Sequence, residues 1–188
     1  MTIALCALMS GSLLFEKKKE SLLEVCAQLG FQTLKSNNIL TPIMIAQEEA
    51  LYLPPSKKLH AIEHFIKKIN TVELQNSSLE DSDIAIQINK HLVKKSFVIL
   101  VGDFLGDFNF TLLAKRHEVH LIMIRDSFEE NPTSLGEGSF VDPQSGENAE
   151  FYFGKSARDA YAARYHDNDT KLFKHLNSLG ISYQKIIT

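Results

Sequence analysis

Thiol chemistry is scarce in this chain, which has two cysteines, Cys6 and Cys26, both in apolar surroundings. A disulfide framework is excluded. The pair reads as reduced core residues, with a Cys6–Cys26 bridge as the less favoured alternative. An excess of one charge sign is missing too. Lys and Arg number 20 against 23 Asp and Glu, a formal net charge of −3. The basic residues are scattered among acidic ones, so no nucleic-acid or anionic-membrane partner is indicated. Long hydrophobic runs are also lacking. Thr2–Phe15 is mostly apolar, but it is too short to span a bilayer and has no basic n-region. The cluster Glu16-Lys17-Lys18-Lys19-Glu20 follows it at once. Its first half therefore reads as a strand and not as a signal peptide, and the expected location is cytoplasmic. No Gly-rich phosphate loop occurs, and no Ser-His-Asp or Cys-His set follows from the spacing.

What is present is an ordinary globular composition, 44% hydrophobic and 23% charged over 188 residues. This suits a single domain spanning 1–188. The run from Ser96 to Phe104 is apolar and β-branched and stops at Gly102-Asp103. Such a run between turn signals predicts a strand buried on both faces. Similar reasoning gives strands at Ile3–Leu8, Ile39–Ala46, Glu49–Leu53, Val119–Ile124 and Ile181–Ile187. A tight turn at Gln47-Glu48 makes Glu49–Leu53 an antiparallel edge strand.

Helices are expected over Lys17–Lys35, from a Ser56 cap to Ile69, over Ile84–Val93, Phe108–Lys115 and Ser156–Leu179, the last ending at Gly180. Leu22, Val25, Cys26, Leu29 and Thr33 form the inward face of the first. Leu59, Ile62, Phe65, Ile66 and Ile69 form that of the second. Phe128–Gly146 reads as loop with a small hairpin near Phe140. The alternation of strands and helices predicts an α/β fold: a doubly wound, mostly parallel sheet with one antiparallel edge strand and helices on both faces.

In such sheets ligands sit beyond the carboxyl ends of the strands. Three loops would meet there: Ser10-Gly11-Ser12, Glu80-Asp81-Ser82 and Asp103. Hydroxyls and carboxylates are hard oxygen donors of the kind magnesium and manganese prefer. Ser-Gly-Ser is equally a common turn, and Ser82 an ordinary helix cap.

The segments ALMSGSLLF, EDSDIAIQINKHL and VILVGDF, with the tract RHEVHLIMIRDSFEENPTSLGEGSFVDPQSG, carry a resemblance. They resemble the von Willebrand factor A-like domain of the bacterial domain-of-unknown-function-58 proteins, often encoded beside MoxR-type AAA+ ATPases. The resemblance covers nearly the whole chain. It implies a non-catalytic protein-interaction module of Rossmann-type three-layer build that works with such an ATPase. It also implies a metal-ion-dependent adhesion site. Ser10 and Ser12 match its two serines, Ser82 stands where threonine is usual, and Asp103 matches its second aspartate. Leu8 stands where the first aspartate falls. The expectation is a retained fold with a degenerate site that binds magnesium or manganese weakly or not at all, unless Asp81, Asp83 or Asp107 compensates.

Other signals have competing readings. His60-Ala61-Ile62-Glu63-His64 matches an inverted zinc-protease pattern and supplies the alternative function, a metal-dependent hydrolase using His60, Glu63 and His64, or Asp103. The helix's own apolar face turns these residues to solvent, which is the default reading. Arg125-Asp126 with Glu129 and Glu130 reads first as strand-end and loop solvation. Arg158, Tyr161, Arg164 and Tyr165 form either a partner face or a half-buried helix surface. Asp142–Gly146 is a turn by its own chemistry.

Overall fold

The computed structural model describes residues 1–15, 17–47, 49–75, 79, 81–132, 136–141 and 148–188, and the side chains of these except at 81–83, 136–141 and 148–153. Eight strands and six α-helices are described: β1 (Thr2–Met9), α1 (Lys18–Lys35), β2 (Ile39–Ala46), β3 (Ala50–Tyr52), α2 (Leu59–Thr71), α3 (Asp81–His91), β4 (Phe97–Gly102), α4 (Thr111–Arg116), β5 (Glu118–Arg125), α5 (Ser127–Glu130), β6 (Gly136–Val141), β7 (Asn148–Phe153), α6 (Lys155–Ser178) and β8 (Ser182–Ile187). The main sheet has the order β3-β2-β1-β4-β5-β8. β3 pairs antiparallel with β2 and every other pairing in this sheet is parallel. The doubly wound α/β sheet with one antiparallel edge is therefore the fold. The chain reverses direction across the sheet between β1 and β4, so loops leaving these two central strands meet over its C-terminal edge.

Two apolar clusters sandwich the sheet. Leu22 and Cys26 of α1 and Ile62, Phe65 and Ile69 of α2 pack on one face with Leu5, Ala7 and Met9. Ile84 and Ile88 of α3, Leu113 of α4 and Leu172 and Leu176 of α6 pack on the other with Cys6 and Leu8. The segment after Asp83 is the expected helix, with Ile84, Ile88 and Leu92 buried on one face while Ile86 is 41% exposed. α6 stops in a Schellman arrangement, with the Gly180 N–H on the Asn177 carbonyl and the Ile181 N–H on the Leu176 carbonyl, and Gly180 at φ +67°. Both cysteines are free, and burial pushes both thiols up, first-order evidence of inert core residues.

Several boundaries differ from the sequence reading. Ser56 does not cap α2, because its backbone pairs with Leu40 in both directions; the helix starts at Leu59 with Lys58 before it. Leu59 is accordingly 47% exposed and not inward. α4 starts at Thr111 and not Phe108, since the Asn109 side chain accepts from the Thr111 N–H and Phe108 stacks on Phe110. The segment after β5 opens with a helical turn that sequence reasoning assigned to loop. Asp126 caps it and Glu129 returns a bond to the Asp126 N–H. The expected hairpin is β6–β7. Glu48, Glu80 and the Asp142–Gly146 turn lie outside the described residues.

Candidate functional site

β1 ends at Met9, and a 3-10 turn over Gly11–Leu14 follows. This turn aims two short hydroxyls at the end of β4. The Ser10 hydroxyl lies 3.1 Å from each Asp103 carboxylate oxygen and 2.9 Å from the Ser12 hydroxyl. The Ser12 hydroxyl donates to Asp103 Oδ2. All three side chains are buried. Asp103 is fixed from behind as well. Phe104 takes the left-handed conformation at φ +53° and buries its ring edge-on to Phe108 and Phe110. Asn168 of α6 donates to the Phe104 carbonyl and accepts from the Gly106 N–H.

The deciding side chain is one that sequence reasoning passed over. Lys18, the first residue of α1, is 0% exposed. Its Nζ lies 2.6 Å from Glu129 Oε1 and 3.6 Å from Asp103 Oδ2. Glu129 is shared further, accepting from the Tyr165 hydroxyl at 3.1 Å. Burial, with the neighbouring Glu129 charge, pushes the Tyr165 phenol far up, so it stays a neutral donor. Beside this group Arg125, also 0% exposed, donates to Asp169, and Lys185 donates to Asp169 and Glu130. Burial alone would lower the Lys185 ammonium, but its bonds to Asp169 and Glu130 outweigh that and raise it. Arg125, Asp126 and Glu129 are thus core residues, correcting the reading of a solvated strand end.

A divalent ion does not fit this donor set as it stands. Magnesium held about 2.1 Å from Asp103 Oδ2 would sit no farther than about 5.7 Å from the Lys18 Nζ. The repulsion there is about 6 kcal/mol even at an effective dielectric near 20. Two carboxylates less one ammonium leave a single negative charge to hold the ion. Position 8 adds none: Leu8 is 2% exposed inside the apolar cluster, and a Cβ on Gly102 would meet its Cβ at 3.1 Å.

Ser10, Gly11, Ser12 and Asp103 are therefore brought together as the sequence predicts. Ser82 falls in the first turn of α3, with its side chain, like those of Asp81 and Asp83, outside the described residues. Asp107 is exposed and lines a cleft of about 310 Å³ with Asn168, Lys171 and His175. Neither this cleft nor a second, lined by Glu129, Tyr165, Asp169 and Lys185, includes the serines or Asp103. Among the described residues the zinc-type set gains no third ligand. The His60 and Glu63 side chains are 85% and 64% exposed, and among the described residues no metal-binding group of His, Cys, Asp and Glu assembles. Tyr161 and Tyr165 are half-buried, with ring centroids 4.7 Å apart.

The family described as protein of unknown function DUF58 matches residues 1–171. This chain is a DUF58 protein. The DUF58 chain is similar in fold to the conserved hypothetical protein BatB from Bacteroides thetaiotaomicron, at TM-score 0.58 and 10% identity over 100% of this chain and 91% of that one. An aerotolerance-related membrane protein from Bacteroides fragilis is similar at TM-score 0.55 and 9% identity, over 96% of this chain and 98% of that one. The SpRpn10 VWA domain matches at TM-score 0.49 and 11% identity, over 99% of this chain and 87% of that one. No curated protein matches the sequence. No helix among the described residues of this DUF58 chain is long and apolar enough to cross a membrane.

Proposed function

We propose that this DUF58 chain is a non-catalytic interaction module that docks a protein partner, a MoxR-type AAA+ ATPase, through the loops at the C-terminal edge of its sheet. The observation that carries this reading is a closed polar cluster at the C-terminal edge of the sheet, with the exposed Leu14 directly after it. Ser10, Ser12 and Asp103 satisfy one another and are buried, which leaves no open nucleophile or ligand set for chemistry. Directly after them Leu14 is 43% exposed, and the Leu105–Asp107 segment follows Asp103 into the same edge. An exposed apolar side chain at the end of a 3-10 turn suits a protein contact. The adhesion site is degenerate in this reading, so docking needs no bridging cation. A cytoplasmic location is part of the same proposal. The hydrolase alternative is not favoured, since His60, Glu63 and His64 stand on an exposed helix face.

The test is calorimetric titration of a MoxR-type ATPase with this chain, in magnesium and in EDTA without nucleotide. Binding is expected in both, with at least about a tenfold loss for Leu14→Asp at unchanged melting temperature, as a central apolar contact requires. No binding by the parent chain, or binding indifferent to Leu14→Asp, rejects the edge around Leu14 as the docking surface for this class of partner.

A further inference from the structure

We propose that the Lys18 ammonium is the resident cation of the Ser10, Ser12 and Asp103 set. The site holds an amino group of its own chain in place of a metal ion, and removing that amino group turns it into a divalent-metal site. This inference does not rest on the partner reading.

Three observations converge on it. First, Lys18 is 0% exposed, yet its Nζ approaches both Glu129 and Asp103. A fully buried ammonium is retained only where charge and hydrogen bonds compensate it. Second, the groups around it are hard oxygen donors. Two hydroxyls and the Asp103 carboxylate are already linked in one cluster, and Glu129 faces them across the ammonium. Oxygen donors of this kind suit magnesium or manganese as well as an ammonium. Third, the second carboxylate arrives from an unexpected direction. Position 8 carries a leucine buried in apolar surroundings, and Asp107 is exposed. Glu129, held by the capping turn after β5, supplies the charge that position 8 lacks. Without Lys18 the set would carry two negative charges and two hydroxyls, matched to a doubly charged ion.

Manganese titration followed by electron paramagnetic resonance tests this on the full chain. The parent is expected to bind no manganese through Asp103. Lys18→Ala is expected to gain binding at least about tenfold tighter than any residual parent signal, as a newly opened carboxylate pair would give. Its melting temperature should rise with added manganese, and Lys18→Ala/Asp103→Asn should lose both effects. If Lys18→Ala folds only when manganese is supplied, that also supports the proposal. If it does not fold with or without manganese, Lys18→Met, which refills the space of the aliphatic stem and keeps both carboxylates, is titrated in its place; binding supports the proposal and its absence overturns it. A folded Lys18→Ala that gains no manganese overturns it. So does a parent chain that already binds manganese and loses it on Asp103→Asn, because the ammonium would then share the site with a metal.

Discussion

Lys17, Lys18 and Lys19 are consecutive, but the first is exposed, the second is fully buried, and the third donates to the Asn70 and Val72 carbonyls at the end of α2. Position in the helical period separates them. Lys18 extends the buried stripe of Leu22, Cys26, Gly30 and Thr33 back by one turn, a signal already present in the sequence. It was legible there only as a charge on an apolar stripe. Its partner Glu129 lies 111 residues away and could not be inferred from local pattern. The two carboxylates that hold Lys18 are not equivalent. Glu129→Gln removes the 2.6 Å partner of a buried ammonium and is expected to cost about 3–5 kcal/mol. Asp103→Asn, at 3.6 Å and with its serine bonds replaceable by an amide, is expected to cost about 1–2 kcal/mol. Urea unfolding of the two variants checks the order; an equal or reversed pair of losses would place the charge balance at Asp103 instead.

At the scale of elements, the strands were legible because buried parallel strands are continuous apolar runs, and β1, β2, β4 and β5 each lie within two residues of where the runs place them. The beginnings of α2 and α4 were not. Each is decided by a contact distant from simple periodicity: Ser56 bridging to β2, and Phe108 and Phe110 closing on Phe104. The joint of α3, β4 and α4 turns on one histidine. His117 accepts from the Ser96 N–H through Nδ1, so its Nε2–H donates to Asn89, and the ring is required neutral. Burial, reinforced by the Arg116 charge, lowers its pKa. The unfolded chain then binds more protons than the folded one below the ordinary histidine value of about 6.5. Stability should therefore fall as pH drops through about 6.5 toward the folded value, and level off below that. His120, lowered by burial, adds to the same slope. Urea midpoints measured from neutral to acid pH should show the decline, and His117→Gln should leave only the part due to His120. An unchanged slope in that variant would remove His117 from this role.

For the whole molecule, the charged network reaches from one helical layer to the other across the top of the sheet. Lys18 comes from α1, which packs on one face, while Tyr165, Asn168 and Asp169 come from α6, which packs on the opposite face. The general architecture, the meeting of Ser10, Ser12 and Asp103, and the leucine at position 8 were all visible in the sequence. The network was not. Its members are charged and polar residues that composition assigns to solvent, and only the closed sheet brings them into one buried group. Arg125 shows this plainly. It shares strand parity with the inward Leu121 and Met123, yet its partner Asp169 sits on a helix whose arginine and tyrosine spacing read equally well as surface.

The separation of Lys18 and Glu129 along the chain also has a kinetic meaning. A bond between residues so far apart in the chain is expected to close after β1, β4 and β5 have assembled, outside an early nucleus built on local contacts. Such late contacts govern how fast a native protein opens and leave its rate of folding nearly untouched. The buried lysine is thus expected to act as a latch on the folded molecule, and Glu129→Gln should speed unfolding while leaving the folding rate nearly unchanged.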